Sequence, residues 1–277
     1  MQTYSELNVD ANSAYKINMK YYSSTSGKDF MTMADTDAYP AAFASYLYRL
    51  LDSELPNAET IKVLELGPRG IYFEEKLYSE LLRLDKTNST SYSERINYTL
   101  LDIAPVAIEN AKSRYEINGA DKNLFPTEFK VGDAINSRLP QNADVIIANE
   151  LIDDFKQLVV AKRDGKLYEV VFKIGVGDFL GDYGISLRPS HLRPIKKKAI
   201  RDIYLKELDR HLPEGFATTF SPDLSKFMEN LAQSSKPEAT IAIHDYFILG
   251  GVGVANSNRL KRVFGNMDLA RIYSSSV

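Results

Sequence analysis

From Thr60 onward, the hydrophobic positions follow two different periods in turn. Segments such as IYFEEKLYSELLRL (71–84) have apolar residues at helical spacing. They are separated by short apolar runs typical of buried strands: TIKVLELG (60–67), INYTLLDI (96–103), TEFKVGDA (127–134) and ADVIIANEL (143–151). Strands that alternate with helices predict right-handed βαβ units and a mostly parallel sheet with helices on both faces. The expected fold class is therefore α/β, of the open, doubly wound type.

The same reasoning places further elements along the chain. PVAIENAKSRYEING (105–119) is predicted to be a helix that Gly119 stops. The polar stretch 85–97 is expected to be a surface loop. SPDLSKFMENLAQSS (221–235) is predicted to be a helix with Ser221 as N-cap and Pro222 at its first position. ATIAIHDYF (239–247) is predicted to be the strand that follows it.

The remaining stretches are expected to surround this core within a single domain, 1–277. Residues 1–60 indicate a mostly helical lead-in, with helices at 13–21 and 40–55. Two alternating runs around Asp164-Gly165 predict a β-hairpin. We therefore expect four parts: the lead-in at 1–60, a cofactor-binding core at 60–155, a hairpin and lid over the carboxyl edge of the sheet at 156–213, and the end of the core at 214–277.

Composition narrows the class of protein. The 277 residues are 44% hydrophobic and 26% charged, with a net charge of −3, so the chain has no overall attraction to nucleic acid or anionic membranes. The absence of cysteine excludes disulfides and thiolate metal sites. Apolar stretches are too short to span a bilayer, and the N-terminus lacks the layout of a secretory signal. We expect a cytoplasmic protein.

Polar residues stand where several predicted strands end. In open parallel sheets, ligands bind beyond the carboxyl ends of the strands. Candidate ligand-binding residues at these ends are Gly67, Asp102, Asp133, Asn149 and Glu150. The segment VLELGPRG joins a strand, a glycine turn with Gly67 and Gly70, and a helix N-terminus, an arrangement that suits a nucleotide or cofactor.

Two aspartates extend this interpretation. Asp102 is placed to take both hydroxyls of a ribose, and Asp133 to accept a hydrogen bond from an adenine amino group. Taken alone, each aspartate could equally be a turn former or a helix cap.

The order of these motifs resembles the class I S-adenosylmethionine-dependent methyltransferases. ELG follows the first strand, an aspartate follows the second and GDA follows the third. The segment ANELIDDF is similar to the Asn-Glu-Leu-x-Asp segment of the MidA-type family. The resemblance implies S-adenosylmethionine as cofactor and S-adenosylhomocysteine as product. It also implies that the cofactor-binding site is formed by Glu65, Gly67, Gly70, Asp102, Ile103, Asp133, Ala134 and Asn149.

Two further blocks resemble the same family. YYSSTSGKDFMT (21–32) is similar to its lead-in, and HDYF (244–247) to its Ile-Asp-Tyr-Gly. These blocks imply substrate contacts from Tyr22, Phe30, Asp245 and Tyr246. The chain departs from the family's pattern at Arg69, where many methyltransferases have glycine, and at His244, which replaces an apolar residue.

His244 is the candidate general base. Imidazole ionises nearest working pH, and methyl transfer to an alcohol requires removal of the hydroxyl proton. In the sheet order of this fold class, the strand that ends at Glu150 lies about 4.8 Å from the strand of His244. Glu150 is therefore expected to orient His244, although a structural histidine bonded to the backbone is the alternative. His191 and His211 are weaker candidates.

A His–Glu pair favours O-methylation. Together with the lid, it resembles the O-methyltransferase domains of polyketide synthases, which methylate a β-hydroxyl on a chain held by acyl carrier protein. Residues 188–210 contain eight Lys/Arg and three acidic residues, so this basic segment could dock an acidic carrier protein with its phosphopantetheine arm. A solvated charged helix explains the same charges equally well.

Two other functions remain open. MidA-type relatives imply protein arginine N-methylation, in which Glu150 would pair with the guanidinium. A catalytically silent assembly factor with the methyltransferase fold is the third hypothesis. We expect no metal cofactor, with Asp153 and Asp154 beside Glu150 as the only weak exception.

Overall fold

The structure is a computed structural model that describes residues 5–9, 36–68, 70–122, 124–152, 154–156, 158–179, 182–195 and 203–244. The chain divides into two compact units, one built on a parallel sheet and the other on an antiparallel sheet. No helix in these described ranges has the length and apolar character needed to cross a membrane.

Ten strands and five α-helices are present among the described residues. In chain order they are β1 (Ser5–Val9), α1 (Ala38–Glu54), β2 (Ile61–Leu66), α2 (Tyr72–Asn88), β3 (Ile96–Asp102), α3 (Pro105–Lys122), β4 (Thr127–Val131), β5 (Ala143–Asn149), β6 (Leu158–Arg163), β7 (Lys166–Phe179), β8 (Asp182–Pro194), α4 (Ile203–His211), β9 (Ala217–Phe220), α5 (Leu224–Ser234) and β10 (Ser235–His244).

The parallel sheet has the strand order β10-β5-β2-β3-β4. Each neighbouring pair runs in the same direction. The order turns back on itself at β2 and β5, which leaves a crevice at their carboxyl ends. This is the sheet of the class I methyltransferase fold. The predicted fold class is confirmed.

Both faces of this sheet are buried, as expected of a parallel sheet. On one face, Val63, Tyr98 and Ile147 belong to a core cluster that includes Leu47 of α1 and Leu77 of α2. Side chains alternate across a strand, so the intervening residues point to the opposite face. They are at most 1% exposed, which shows that this face is covered too: Leu64, Leu66, Ile146 and Ala148.

Two helix boundaries differ from the prediction. Helix α3 continues through Gly119 to Lys122, because a glycine within a helix costs only about 1 kcal/mol, which neighbouring residues can offset. Helix α5 begins at Leu224 instead of directly after Ser221. The Leu224 N–H donates to the Ser221 carbonyl at 3.4 Å, and Ser221 Oγ has no hydrogen-bond partner among the described residues. Ser221 therefore begins a turn and does not cap the helix.

The stretch 85–97 is more ordered than a surface loop. Asp85, which is 3% exposed, lies in the last turn of α2. Its carboxylate accepts hydrogen bonds from Tyr92 N–H at 3.0 Å, Ser93 N–H at 2.8 Å and the Thr90 hydroxyl at 2.7 Å. The prediction was wrong here because one buried carboxylate satisfies the backbone of the turn that leads into β3.

The antiparallel unit has the order β1-β7-β6-β9, and β8 pairs with β7. The predicted hairpin is confirmed, since Arg163 pairs with Lys166 across the turn. Asp164 and Gly165 both have positive φ, at 51° and 67°, as a two-residue type I′ hairpin requires. Glu214 holds this turn by accepting the Asp164 and Gly165 N–H groups at 2.5 and 3.2 Å.

The lead-in is only partly helical. Residues Ser5–Val9 form β1, which pairs antiparallel with β7, whereas the sequence indicated a mostly helical segment. Backbone pairing to a long neighbouring strand outweighs the weak pattern of a five-residue segment. Helix α1 agrees with the helix predicted at 40–55, and the helix predicted at 13–21 lies outside the described residues.

Candidate active site

The polar strand ends of the parallel sheet lie along one edge, because parallel strands present their carboxyl ends together. Glu65 is the last residue but one of β2, Asp102 ends β3, Asn149 ends β5 and His244 ends β10. This edge is the candidate active site.

His244 and Glu150 are neighbours across the sheet. His244 is in register with Asn149 in the parallel pairing of β10 with β5. One residue further, the Glu150 N–H donates to the His244 carbonyl at 2.6 Å. The predicted proximity of the two residues is therefore present, while their roles in catalysis remain predictions.

Glu150 has an unusual backbone. Its φ of 49° lies in the left-handed region, where residues other than glycine are uncommon, and the residue is 9% exposed. Such strain persists only where surrounding structure enforces it, and it is frequent at active sites. The bend turns the chain away from the sheet directly after Asn149.

Burial lowers the pKa of His244, and the nearby Glu150 carboxylate opposes that change. The net shift of the His244 pKa is downward, which favours the neutral imidazole. A neutral imidazole can accept a proton, as a general base must.

Tyr39 is a component of this edge that the sequence did not reveal. It lies in the first turn of α1, and its hydroxyl donates to Asn149 Oδ1 at 2.5 Å. Its ring lies 4.7 Å from the His244 ring between centroids, and 5.7 Å from that of Phe73. Burial, together with the Glu65 and Glu150 carboxylates, raises its pKa, so the phenol keeps its proton.

Two carboxylates are buried close to this edge. Glu65 is 2% exposed and accepts a hydrogen bond from the Tyr98 hydroxyl at 2.7 Å. Glu74, in the first turn of α2, is fully buried and accepts one from the Thr127 hydroxyl at 2.7 Å. Burial raises the pKa of Glu65 to about 7 and that of Glu74 to about 8. Glu74 was also not anticipated from the sequence.

The glycine turn after β2 requires Gly67 but not Gly70. Gly67 has φ +68°, and a Cβ there would lie 2.9 Å from Leu151 Cδ1. Its N–H donates to the Leu101 carbonyl at 2.9 Å, which holds the turn against β3. A Cβ on Gly70 would meet only the Tyr72 ring, at an ordinary 3.5 Å. Arg69 lies outside the described residues.

The aspartates at the ends of β3 and β4 both support turns. Asp102 Oδ1 accepts the Ala104 N–H at 2.8 Å. Asp133 Oδ1 accepts the Ile135 and Asn136 N–H groups at 2.8 and 3.1 Å. Turn formation, the alternative considered from the sequence, is thus one role of each residue. A carboxylate has further acceptor capacity, so their predicted contacts to ribose and adenine remain predictions.

Two other predicted cofactor contacts lie beside these turns. Ile103, directly after Asp102, is 38% exposed, and its side chain is available to a ligand. The Ala134 carbonyl accepts a hydrogen bond from Asn230 Nδ2 at 3.0 Å, which ties the β4 turn to α5.

Several candidates cannot be placed at this edge. Tyr22, Phe30, Asp153, Asp245 and Tyr246 lie outside the described residues. Within the part of the chain that the structure describes, no group of three or more His, Asp or Glu side chains could hold a metal ion. His191 and His211 belong to the antiparallel unit, where His211 Nε2 lies 3.2 Å from Glu207 Oε2.

No protein-family model matches the chain, and no curated protein matches it. Among solved structures, it is similar to a Burkholderia thailandensis protein bound to S-adenosyl-homocysteine, with a TM-score of 0.47 and 17% identity over 82% of this chain and 56% of that one. A native structure of an uncharacterized protein from the same organism matches with the same TM-score and identity, over 82% of this chain and 54% of that one.

A more distant match is the magnesium protoporphyrin IX methyltransferase of Synechocystis PCC 6803 with bound S-adenosyl-homocysteine. Its TM-score is 0.32, with 15% identity over 50% of this chain and 59% of that one. The chain spans a little more than half the length of the two Burkholderia structures. The fold is therefore assigned on the strand order of the chain's own sheet.

Proposed function

We propose that the chain is an S-adenosylmethionine-dependent O-methyltransferase in which His244 is the general base and Glu150 its orienting partner. The observation that supports this most directly is the pairing of β5 with β10. That pairing puts a neutral imidazole beside a 9% exposed carboxylate at the carboxyl edge of the sheet.

The same edge suits the methyl donor. S-adenosylmethionine supplies a methyl group from a positively charged sulfonium. The buried Glu65 carboxyl, whose hydrogen-bond partner among the described residues is the neutral Tyr98 hydroxyl, would gain from a nearby positive charge, which favours its ionised form. Gly67 allows the backbone to approach a ligand closely. The proposed donor-binding site is completed at the turns after β2, β3 and β4 by Gly70, Asp102, Ile103, Asp133 and Ala134.

The chain's own chemistry is a proton transfer. The neutral His244 ring would accept the acceptor's hydroxyl proton as the new oxygen–carbon bond forms and the donor's sulfur–methyl bond breaks, with the neutral thioether as the leaving group. Glu150 stabilises the resulting imidazolium, which later releases the proton to solvent. A base of this kind contributes on the order of 10²- to 10⁴-fold to the rate.

For the acceptor, we propose a β-hydroxyl on a polyketide chain carried by acyl carrier protein. The support is the basic segment 188–210, whose described part includes Arg193, Lys206 and Arg210. Arg193 and Arg210 already form ion pairs with Glu169 and Glu207, so they are less available than Lys206 to an acidic partner. The proposal that this segment docks a carrier protein therefore depends most on its lysines.

The test is methyl transfer from labelled S-adenosylmethionine to a β-hydroxyacyl carrier protein. We expect His244→Ala to lower kcat at least about 100-fold while S-adenosylhomocysteine binding is unchanged. His211→Ala is the matched control, because His211 is an exposed histidine of the antiparallel unit, and it should behave like wild type. Equal activity of His244→Ala and wild type would contradict the proposal.

Arginine N-methylation is the second candidate, and one observation favours it. Glu150 is a 9% exposed carboxylate, which could pair with a guanidinium. In that case the wild type would label arginine in a protein lysate, Glu150→Gln would abolish the labelling, and His244→Ala would change it little. Failure of the wild type to bind S-adenosylmethionine would instead favour a catalytically silent protein.

A further inference from the structure

Asn149 is a buried amide with only one of its ends bonded. It ends β5 in register with His244 and is 8% exposed. Its Oδ1 accepts the Tyr39 hydroxyl proton at 2.5 Å, whereas its Nδ2 has no hydrogen-bond partner among the described residues. A buried donor without a protein partner is costly, and such a donor is normally satisfied by an ordered water or a ligand.

Tyr39 determines which end of the amide remains available. A phenol that keeps its proton donates to the amide oxygen, and the amide nitrogen must then point away from Tyr39. Burial and the Glu65 and Glu150 carboxylates keep that proton on Tyr39. The tyrosine ring is itself held against Phe43 and Phe73, with centroid distances of 6.3 and 5.7 Å.

We infer that Tyr39 is a positioning residue that orients Asn149, so that Asn149 Nδ2 donates a hydrogen bond to an oxygen of a small molecule bound beside His244. This inference rests on the proposed function, which supplies two such oxygens: the carboxylate of the methyl donor and the hydroxyl of the acceptor. The required chemistry is the same for both, because each is an oxygen acceptor that a neutral N–H can bind.

The variants that test this inference are Tyr39→Phe, Asn149→Ala and the double variant. Tyr39→Phe keeps the ring that contacts His244 and removes only the hydroxyl. Tyr48→Phe is the matched control, because Tyr48 lies on the same helix and its hydroxyl bonds Thr90 Oγ1 at 2.9 Å, within the same unit but without contact to Asn149. Each variant is compared for S-adenosylhomocysteine affinity, kcat, KM and Tm.

We expect Tyr39→Phe and Asn149→Ala each to lower either the S-adenosylhomocysteine affinity or kcat by about tenfold or more. Adding Tyr39→Phe to Asn149→Ala should cause no further loss, since the tyrosine acts through the asparagine. A loss in S-adenosylhomocysteine affinity that disappears with a decarboxylated analogue assigns the oxygen to the donor. A loss in kcat with unchanged S-adenosylhomocysteine affinity assigns it to the acceptor hydroxyl.

The inference is overturned if both single variants bind and react within twofold of wild type. It is also overturned if their losses multiply in the double variant, or if the variants change only Tm. Failure of the proposed function gives a different pattern, in which wild type transfers no methyl group to hydroxyacyl substrates or His244→Ala is fully active. A wild type that does not bind S-adenosylhomocysteine would overturn both the inference and the proposed function.

Discussion

The two sheets of this protein treat buried acidic residues in opposite ways. In the antiparallel unit, the 9% exposed Glu169 is paired with Arg193 at 2.6 Å. In the parallel unit, the hydrogen-bond partners of Glu65 and Glu74 among the described residues are the neutral hydroxyls of Tyr98 and Thr127. The first arrangement compensates a charge within the protein, whereas the second provides no counter-charge for the two carboxyls within the described part of the chain.

The parallel sheet itself repeats this contrast between its two edges. At the amino edge, the 6% exposed Asp144 accepts the Lys62 N–H at 2.9 Å and pairs with Lys236 at 2.5 Å. At the carboxyl edge, Glu65 is 2% exposed, and no cation is paired with it among the described residues. Buried charges are normally paired, so a buried carboxyl at the ligand-binding edge with no cationic partner in the described ranges is a candidate partner for an external positive charge. The methyl donor carries one.

The largest expected difference between buried acidic residues with a cationic partner and those without one is in the affinity for the methyl donor. Glu65→Gln removes the group proposed to respond to the donor's sulfonium charge and should weaken S-adenosylmethionine binding by about tenfold or more, and binding of S-adenosylhomocysteine, which lacks that charge, by less, as measured by calorimetry. Asp144→Asn is the control in the same sheet and should leave both affinities near wild type. Equal affinities in Glu65→Gln and wild type would remove the distinction between the edges.

A smaller effect is expected in stability against pH. Glu74 has a folded-state pKa of about 8, above its ordinary value of 4.5, so the folded protein binds more protons than the unfolded chain between these values. Stability should therefore fall as the pH rises from about 4.5 to about 8. Glu74→Gln keeps an acceptor for Thr127 and should raise the free energy of unfolding at pH 8 by more than about 1.4 kcal/mol, measured by urea denaturation.

Glu80→Gln is the control for this measurement, because Glu80 lies on the same helix and forms a surface pair with Arg83 at 2.6 Å. It should change the free energy of unfolding by less than about 1 kcal/mol. If Glu74→Gln and wild type lost stability equally between pH 4.5 and 8, the assignment of a neutral Glu74 carboxyl in the folded protein would be wrong.

The sequence predicted the parallel core well because most of its strands are short apolar runs with polar residues at their ends. That alternation predicted a parallel sheet, and the proximity of Glu150 to His244 followed from the sheet order of the fold class that the motifs resemble. The antiparallel hairpin could be predicted equally well, since Asp164-Gly165 is a local turn signal.

What the sequence did not show depends on packing between distant segments. Tyr39 precedes β2 by a whole helix, and its place beside Asn149 is set by how α1 packs against α2 and the sheet. Glu74 looked like an ordinary acidic residue in the first turn of a helix, where it is favourable even when exposed. Strand β1 has only five residues, and its pairing with β7 fixed its conformation.

The most direct test of the central claim is the pH dependence of kcat for methyl transfer to a β-hydroxyacyl carrier protein. Activity should rise with pH through a single ionisation below pH 6.5, because burial lowers the pKa of His244 and the base must be unprotonated. Glu150→Gln should move this ionisation to still lower pH, since the Glu150 carboxylate raises the same pKa, and the His244→Ala variant should lack it. An ionisation that Glu150→Gln does not move, or that persists in His244→Ala, would contradict the assignment of His244 as the base.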